Sequence, residues 1–277
     1  MSTYCALMAD IVNSRSLDIA QRASLQSRLD RSIEVLNIVY RPVLVKPVVF
    51  SAGDEVQGLF AEAPAAFFYY RMLSLLLAPY QIRGGMGLGG WETRIDGAPS
   101  NKQDGGAYHA ARDAILSAKR SSFYSLIAFA EEGVSCCITA EMGGSLSLVR
   151  ARSISQARVA LAAELWFPLI PLAAHAERDN FSAVFDRGFT TWALREAGFE
   201  LGKIKPKAYH GCPVVFDSNS IGMELNIYDG FGGLGYSLAA WIGASRQGIE
   251  QAFRRGSVFE ERNAALLAAE ALARWGR

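Results

Sequence analysis

The sequence predicts an α+β protein, with a sheet-based first domain over residues 1–120 and a mainly helical second domain over 121–277. Two observations carry this. Four short apolar runs in the first half ("YCALMADI", "VLVKPVVF", "EVQGLF", "QIRGGMGLGG") have strand length and end in polar or glycine turns. Longer stretches between and after them repeat apolar residues at helical spacing. With 277 residues, 51% of them hydrophobic and 20% charged, the chain has ample material for a core and no case for disorder.

Taken in order, Tyr4 to Ile11 reads as a buried strand, and Ser16-Leu17-Asp18 opens a helix. On that helix Leu25, Leu29, Ile33 and Leu36 recur on one side, with Arg22, Arg28 and Arg31 assigned to the outer face. The turn at Ser51-Ala52-Gly53-Asp54 joins two strands as a hairpin. Ala63 to Leu77 is an apolar helix closed by Pro79. A glycine-rich strand follows, then a polar loop from Trp91 to Asp104 lying over the sheet edge, then a helix over "DGGAYHAARDAILSAK". The order β-α-β-β-α-β is the ferredoxin-like, split β-α-β arrangement, and its domain is expected to end near Arg120.

The second half is less legible. Residues 123–150 suit a hairpin or a strand-to-helix connector, Ile154 to Ala174 a helix broken near Pro168, and Asn180 to Glu196 a further helix. Lys203 to Asn226 gives no pattern, and the tail from Leu238 is helical.

Composition narrows the function classes. A formal net charge of +1 gives no field that argues for nucleic acid, so DNA binding has to come from a motif. The cysteines Cys5, Cys136, Cys137 and Cys212 lack zinc spacing and read as buried, reduced thiols. Were Cys136 and Cys137 in a strand, they would point to opposite faces. No signal peptide is read at the N-terminus, and the apolar stretch "VALAAELWFPLIPLAAHA" is interrupted by Glu164 and two prolines. No membrane partner and a cytoplasmic location are therefore expected.

Two acidic strand ends carry the chemistry. Asp10 closes the first strand, and Asp54 and Glu55 follow Gly53 at the hairpin. Paired carboxylates at one sheet edge can hold divalent metal against a triphosphate. A Gly-Asp turn is also ordinary hairpin chemistry, and an aspartate at a strand end commonly caps the next helix. "LMADIVNSR" and "SAGDEVQGLF" resemble the two metal motifs of class III nucleotide cyclases, and the hairpin also resembles the Gly-Gly-Asp-Glu-Phe signature of diguanylate cyclases. The resemblance implies a palm-like domain with Mg²⁺ or Mn²⁺ on Asp10 and Asp54. Glu55 would stand behind the metal, and Arg112 would meet the phosphates of a nucleotide. It departs at Phe50, where those cyclases carry a base-reading lysine, and at Tyr108, where they carry a transition-state asparagine. Such domains usually work in pairs, which implies a homodimer.

The motifs "ADIVNSR", "GDEVQGLF", "RGGMGLGG" and "DGGAYHAAR", in this order, are similar to the pattern of the SatD family over residues 4–118. That family implies a link to bacterial stress tolerance and a helix-turn-helix behind the palm-like domain, with no settled activity. The segment 237–256 suits this: Ala239, Gly243 and Ile249 have the small, turn and β-branched spacing of a helix-turn-helix. Arg246 and Gln247 would face bases, while Arg254 and Arg255 would face phosphates. Three functions stay open: a regulator binding metal and nucleotide in front and DNA behind, a metal-dependent nucleotide cyclase or phosphohydrolase, and an interaction module using the fold as scaffold.

Overall fold

A computed structural model describes residues 3–130, 133–171, 187–200, 214–216 and 233–275. The first strand, β1 (Tyr4–Ile11), leads through a short 3₁₀ turn at Ser14–Ser16 into helix α1 (Ile19–Val39). Asp18 caps that helix: its side chain accepts from the Gln21 amide, and the Gln21 side chain accepts from the Asp18 amide. Strands β2 (Leu44–Ala52) and β3 (Glu55–Phe60) form the hairpin, with Ala52 opposite Glu55. Gly53 in the turn has φ +62°, a conformation that a side chain disfavours. Helix α2 (Ala63–Leu77), strand β4 (Ile82–Gly89) and helix α3 (Gly106–Arg120) complete the predicted order.

The sheet has the order β2-β3-β1-β4, with all three pairings antiparallel, as the split β-α-β arrangement requires. It runs on past Arg120. Strand β5 (Leu126–Ala130) joins β4 in parallel, and β6 (Gly133–Val134) pairs back on β5.

One face of the sheet is covered by α1 and α2, the other by α3 and the Trp91–Asp104 loop. The loop is pinned over β2 and β3, where Lys46 Nζ donates to the Ala98 carbonyl and Gln57 Nε2 to that of Ser100. Every residue of α2 except Ser74 is buried, because the sheet lies on one side of it and C-terminal helices on the other.

Beyond the sheet lie α4 (Cys136–Ala151), α5 (Ile154–Trp166), α6 (Arg187–Glu196), α7 (Leu234–Ile242), α8 (Arg246–Arg255) and α9 (Val258–Trp275). Short strands β7 (Leu169–Pro171) and β8 (Val214–Phe216) pair in parallel. The break expected near Pro168 is thus the end of one helix and the start of a strand. Of the helix expected over Asn180 to Glu196, only residues 187–196 fall within the described part; Cys212, His175 and His210 lie outside it.

Two expectations are corrected. Cys136 and Cys137 open α4 and are exposed, so they are neither strand residues nor buried thiols; an N-terminal turn leaves its first residues little to pack against. Arg28 is not on an outer face. It is buried, with Nη2 donating to the Ala78 carbonyl at 3.1 Å, because its long side chain reaches the carbonyl just before Pro79. Cys5 does fit the expectation, lying in the core where burial pushes its thiol up.

Among the described residues, no helix is long and apolar enough to cross a membrane.

Candidate functional site

The site forms at the end of β1, where the hairpin turn, the start of β4 and the last turn of α3 meet. Its geometry follows from the glycines of β4. A Cβ at Gly85 would lie 2.3 Å from the Ile115 amide nitrogen, and one at Gly87 would lie 2.1 Å from that of Ala111. Without side chains there, α3 lies directly on the strand. Arg112 and Lys119 stand seven residues apart, two turns along one helix face, and both reach back over the sheet end.

Asp10 is buried and bound on both oxygens. Its Oδ1 accepts from Arg83 Nε at 2.7 Å, and its Oδ2 lies 2.8 Å from Lys119 Nζ. Arg83 is set by register, since it is the residue opposite Asp10 in the β1–β4 pairing. Glu55 is held in the same way: Oε1 accepts from Arg112 Nη1 at 2.5 Å and from Ser51 Oγ at 3.1 Å, while Oε2 lies 3.6 Å from Lys119 Nζ. Lys119 therefore bridges the two acids. Asp54, by contrast, makes no hydrogen bond or ion pair among the described residues, and its neighbour Gly53 leaves the turn open.

These groups line an open cleft of about 460 Å³, walled by Asp10, Asp54, Glu55, Arg15, Arg83 and Lys119. A second cleft of about 390 Å³ adjoins it and shares Ile11, Ser14, Arg15 and Asp54. Its remaining wall is Leu25, Gln26 and Arg22 from α1, with Gly53. Arg22 is anchored there, donating through Nη2 to the Arg15 and Leu17 carbonyls.

Asp10, Asp54 and Glu55 thus line one cleft, with Arg112 held beside it on Glu55. Arg15, Arg83 and Lys119 join them and were not anticipated. Two signals could have found them: Arg83 opens the glycine strand that pairs with β1, and Lys119 repeats the helical position of Arg112. The positions that depart from the cyclase pattern lie elsewhere. Phe50 packs against the larger core, and Tyr108 is buried with its hydroxyl 3.0 Å from Ser100 Oγ. Burial raises the Tyr108 phenol and the Ser100 hydrogen bond partly opposes this. His109 is exposed and pairs with Asp104.

Divalent ions need open carboxylate oxygens. Asp10 has neither oxygen free, and Glu55 has its Oε1 taken twice. Among the described residues, no three or more His, Cys, Asp or Glu are grouped to hold a metal ion. The arrangement does not fit the pair of ions that the cyclase resemblance implies.

The helical end was also singled out by the sequence. Gly243, at φ 67°, ends α7, and the Ser245 side chain caps α8 by accepting from the Gly248 amide. Ile249 and Phe253 are buried, whereas Arg246, Gln247, Gln251, Arg254 and Arg255 are exposed. Arg246 Nε donates to Glu250 Oε1 at 2.7 Å. Trp241 is core, edge-on to Trp166 at 5.1 Å.

Residues 4–135 match the SatD family. Residues 4–135 are thus similar to the SatD family, and are called the SatD domain for that match. No curated protein matches the chain. Among solved structures, the chain is similar to a bacterial light-regulated adenylyl cyclase at 17% identity and a TM-score of 0.32, over 46% of this chain and 76% of that one. A second structure, also of a bacterial light-regulated adenylyl cyclase, matches at 14% identity and a TM-score of 0.31, over 46% of this chain and 42% of that one.

Proposed function

We propose that the SatD domain binds a nucleotide, with its phosphates in the charged cleft and its nucleoside in the adjoining one. The observation that carries this reading is the pair of clefts sharing Arg15 and Asp54. Arg15, Arg83 and Lys119 line the first cleft against Asp10, Asp54 and Glu55, and Arg112 neutralises Glu55 from beside it. Guanidinium groups suit phosphate oxygens through their forked donors. Ile11 and Leu25 offer the second cleft an apolar wall for a ring, and Gln26 offers an amide for its edge. Asp54, unpaired between the two, would accept from a sugar hydroxyl.

The test is thermal unfolding against nucleoside triphosphates and cyclic nucleotides, each in EDTA and in Mg²⁺ or Mn²⁺. A ligand at 100 times its Kd stabilises by about 2.7 kcal/mol, a readily measured shift. Arg112→Ala is expected to weaken binding at least tenfold. Asp54→Asn is expected to weaken it equally with and without metal; loss confined to the metal samples would assign Asp54 to an ion instead. No shift with any nucleotide would overturn the reading. Product formed by wild type and not by Asp54→Asn would extend it to a metal-dependent cyclase or phosphohydrolase.

A second reading is favoured by the exposed row on α8. Arg246, Gln247, Gln251 and Arg254 lie outward on a helix that begins directly after the Gly243 turn. In this reading α8 enters a DNA groove, and the chain is a regulator that couples the nucleotide to DNA. Affinity for a short duplex should fall as salt rises and should drop in the Arg246→Ala, Arg254→Ala double variant. Binding that survives both substitutions would remove α8 from the interface.

A further inference from the structure

We propose that Lys119 is a built-in cation, taking the place between Asp10 and Glu55 that a divalent ion would otherwise occupy. The inference deepens the nucleotide reading, since it says in which form the ligand is taken: phosphate without a metal at that position. Lys119 Nζ lies 2.8 Å from Asp10 Oδ2 and 3.6 Å from Glu55 Oε2, so a single positive group serves one oxygen of each acid. The other two oxygens go to fixed guanidinium groups, Arg83 on Asp10 Oδ1 and Arg112 on Glu55 Oε1.

Three features hold Lys119 there. It sits in the last turn of α3, where the helix's exposed carbonyls favour a positive charge. The glycine strand seats α3 so closely that the side chain needs no movement of the helix to reach β1. Asp10 is buried and Glu55 largely so, which makes leaving either carboxylate without a positive neighbour costly. A metal would have to displace the ammonium and strand it beside Arg83 and Arg112. In its place, the ammonium and guanidinium groups present donors straight to phosphate oxygens lying in the cleft.

The direct probe is Mn²⁺ alone, titrated into the nucleotide-free full chain and followed by electron paramagnetic resonance of the free ion. Wild type and Lys119→Arg, which keep the positive charge, are expected to bind Mn²⁺ weakly. Lys119→Met keeps the stem, frees Asp10 Oδ2 and Glu55 Oε2, and is expected to bind at least tenfold more tightly. Equal Mn²⁺ affinity in wild type and Lys119→Met, with both variants folded by circular dichroism, would overturn the proposal. The nucleotide arm is separate: wild type should bind its best nucleotide as tightly in EDTA as in Mn²⁺, and Lys119→Met should bind it more tightly in Mn²⁺. A wild type that binds nucleotide solely with metal would sink the built-in cation and leave the nucleotide reading standing. The Mn²⁺ gain in Lys119→Met without any nucleotide binding would do the reverse.

Discussion

At the scale of single residues, the two aspartates that a motif search treats as equals are unlike. Asp10 is buried and its carboxylate is shared between Arg83 and Lys119; Asp54, one residue past a left-handed glycine, is partly exposed and makes no pair among the described residues. The difference comes from position. A residue at the end of a central strand is flanked by its neighbours on the sheet, whereas a hairpin tip projects from it. Asp10 therefore sets the charge balance of the cleft and Asp54 is the acid free to meet a ligand. Arg112, read from the sequence as a group that would meet phosphate, is the partner of Glu55. An anion in the cleft would compete with that carboxylate for the guanidinium.

At the scale of elements, the site depends on how closely α3 lies on β4. The residues that govern this carry no chemistry. Gly87→Ala would place a Cβ 2.1 Å from the Ala111 nitrogen, and backbone cannot turn aside as a side chain can. The helix would have to lift, at a cost of roughly 1–3 kcal/mol by the usual toll of overpacking. The expected outcome is a lower urea midpoint together with weaker nucleotide binding, because Arg112 and Lys119 retreat with the helix. A Gly87→Ala protein with wild-type stability and binding would show that the close approach is not needed.

At the scale of the whole molecule, a buried ion network joins the SatD domain to the helices behind it. Arg71, on α2, donates to Glu261 of α9 through Nε at 2.7 Å and pairs with Glu164 of α5 at 2.9 Å. Arg152 also pairs with Glu261, Ser145 donates to it, and Arg262 bonds Glu164. The network ties α2 to α4, α5 and α9. It also makes stability depend on pH. Burial alone would raise the Glu261 carboxyl, but the charge and hydrogen bonds of Arg71, with help from Arg152 and Ser145, hold it at about 2 against an ordinary 4.5. A depressed carboxyl stabilises the fold above its unfolded value and loses that contribution as pH falls through the folded one. The loss belongs between about pH 4.5 and pH 2 and is on the order of 3 kcal/mol. Urea unfolding from pH 6 to pH 2 should show it, and Glu261→Gln should be less stable at pH 6 with a flatter slope below pH 4.5. Parallel slopes for the two proteins would place the acid sensitivity elsewhere.

Local pattern was enough for the sheet order of the SatD domain, for α2 ending before Pro79, and for the acids at the ends of β1 and the hairpin. Each of these follows from apolar period, turn residues and strand length, which are properties of neighbouring residues. The glycines of β4 were legible as a place for close packing. What pattern could not give was the company those acids keep. Arg83 reaches Asp10 by strand register, and Lys119 reaches it because α3 folds back over a strand that lacks side chains; both depend on contacts between residues far apart in the chain. The same holds for Arg28, whose helical position looked outward and whose side chain found the Ala78 carbonyl fifty residues away. The sequence by itself determined which elements form over residues 1–120 and that Asp10, Asp54 and Glu55 end near one sheet edge. Tertiary packing alone decided that a lysine bridges Asp10 and Glu55 in the wall of the cleft, where an open pair of carboxylates would otherwise stand.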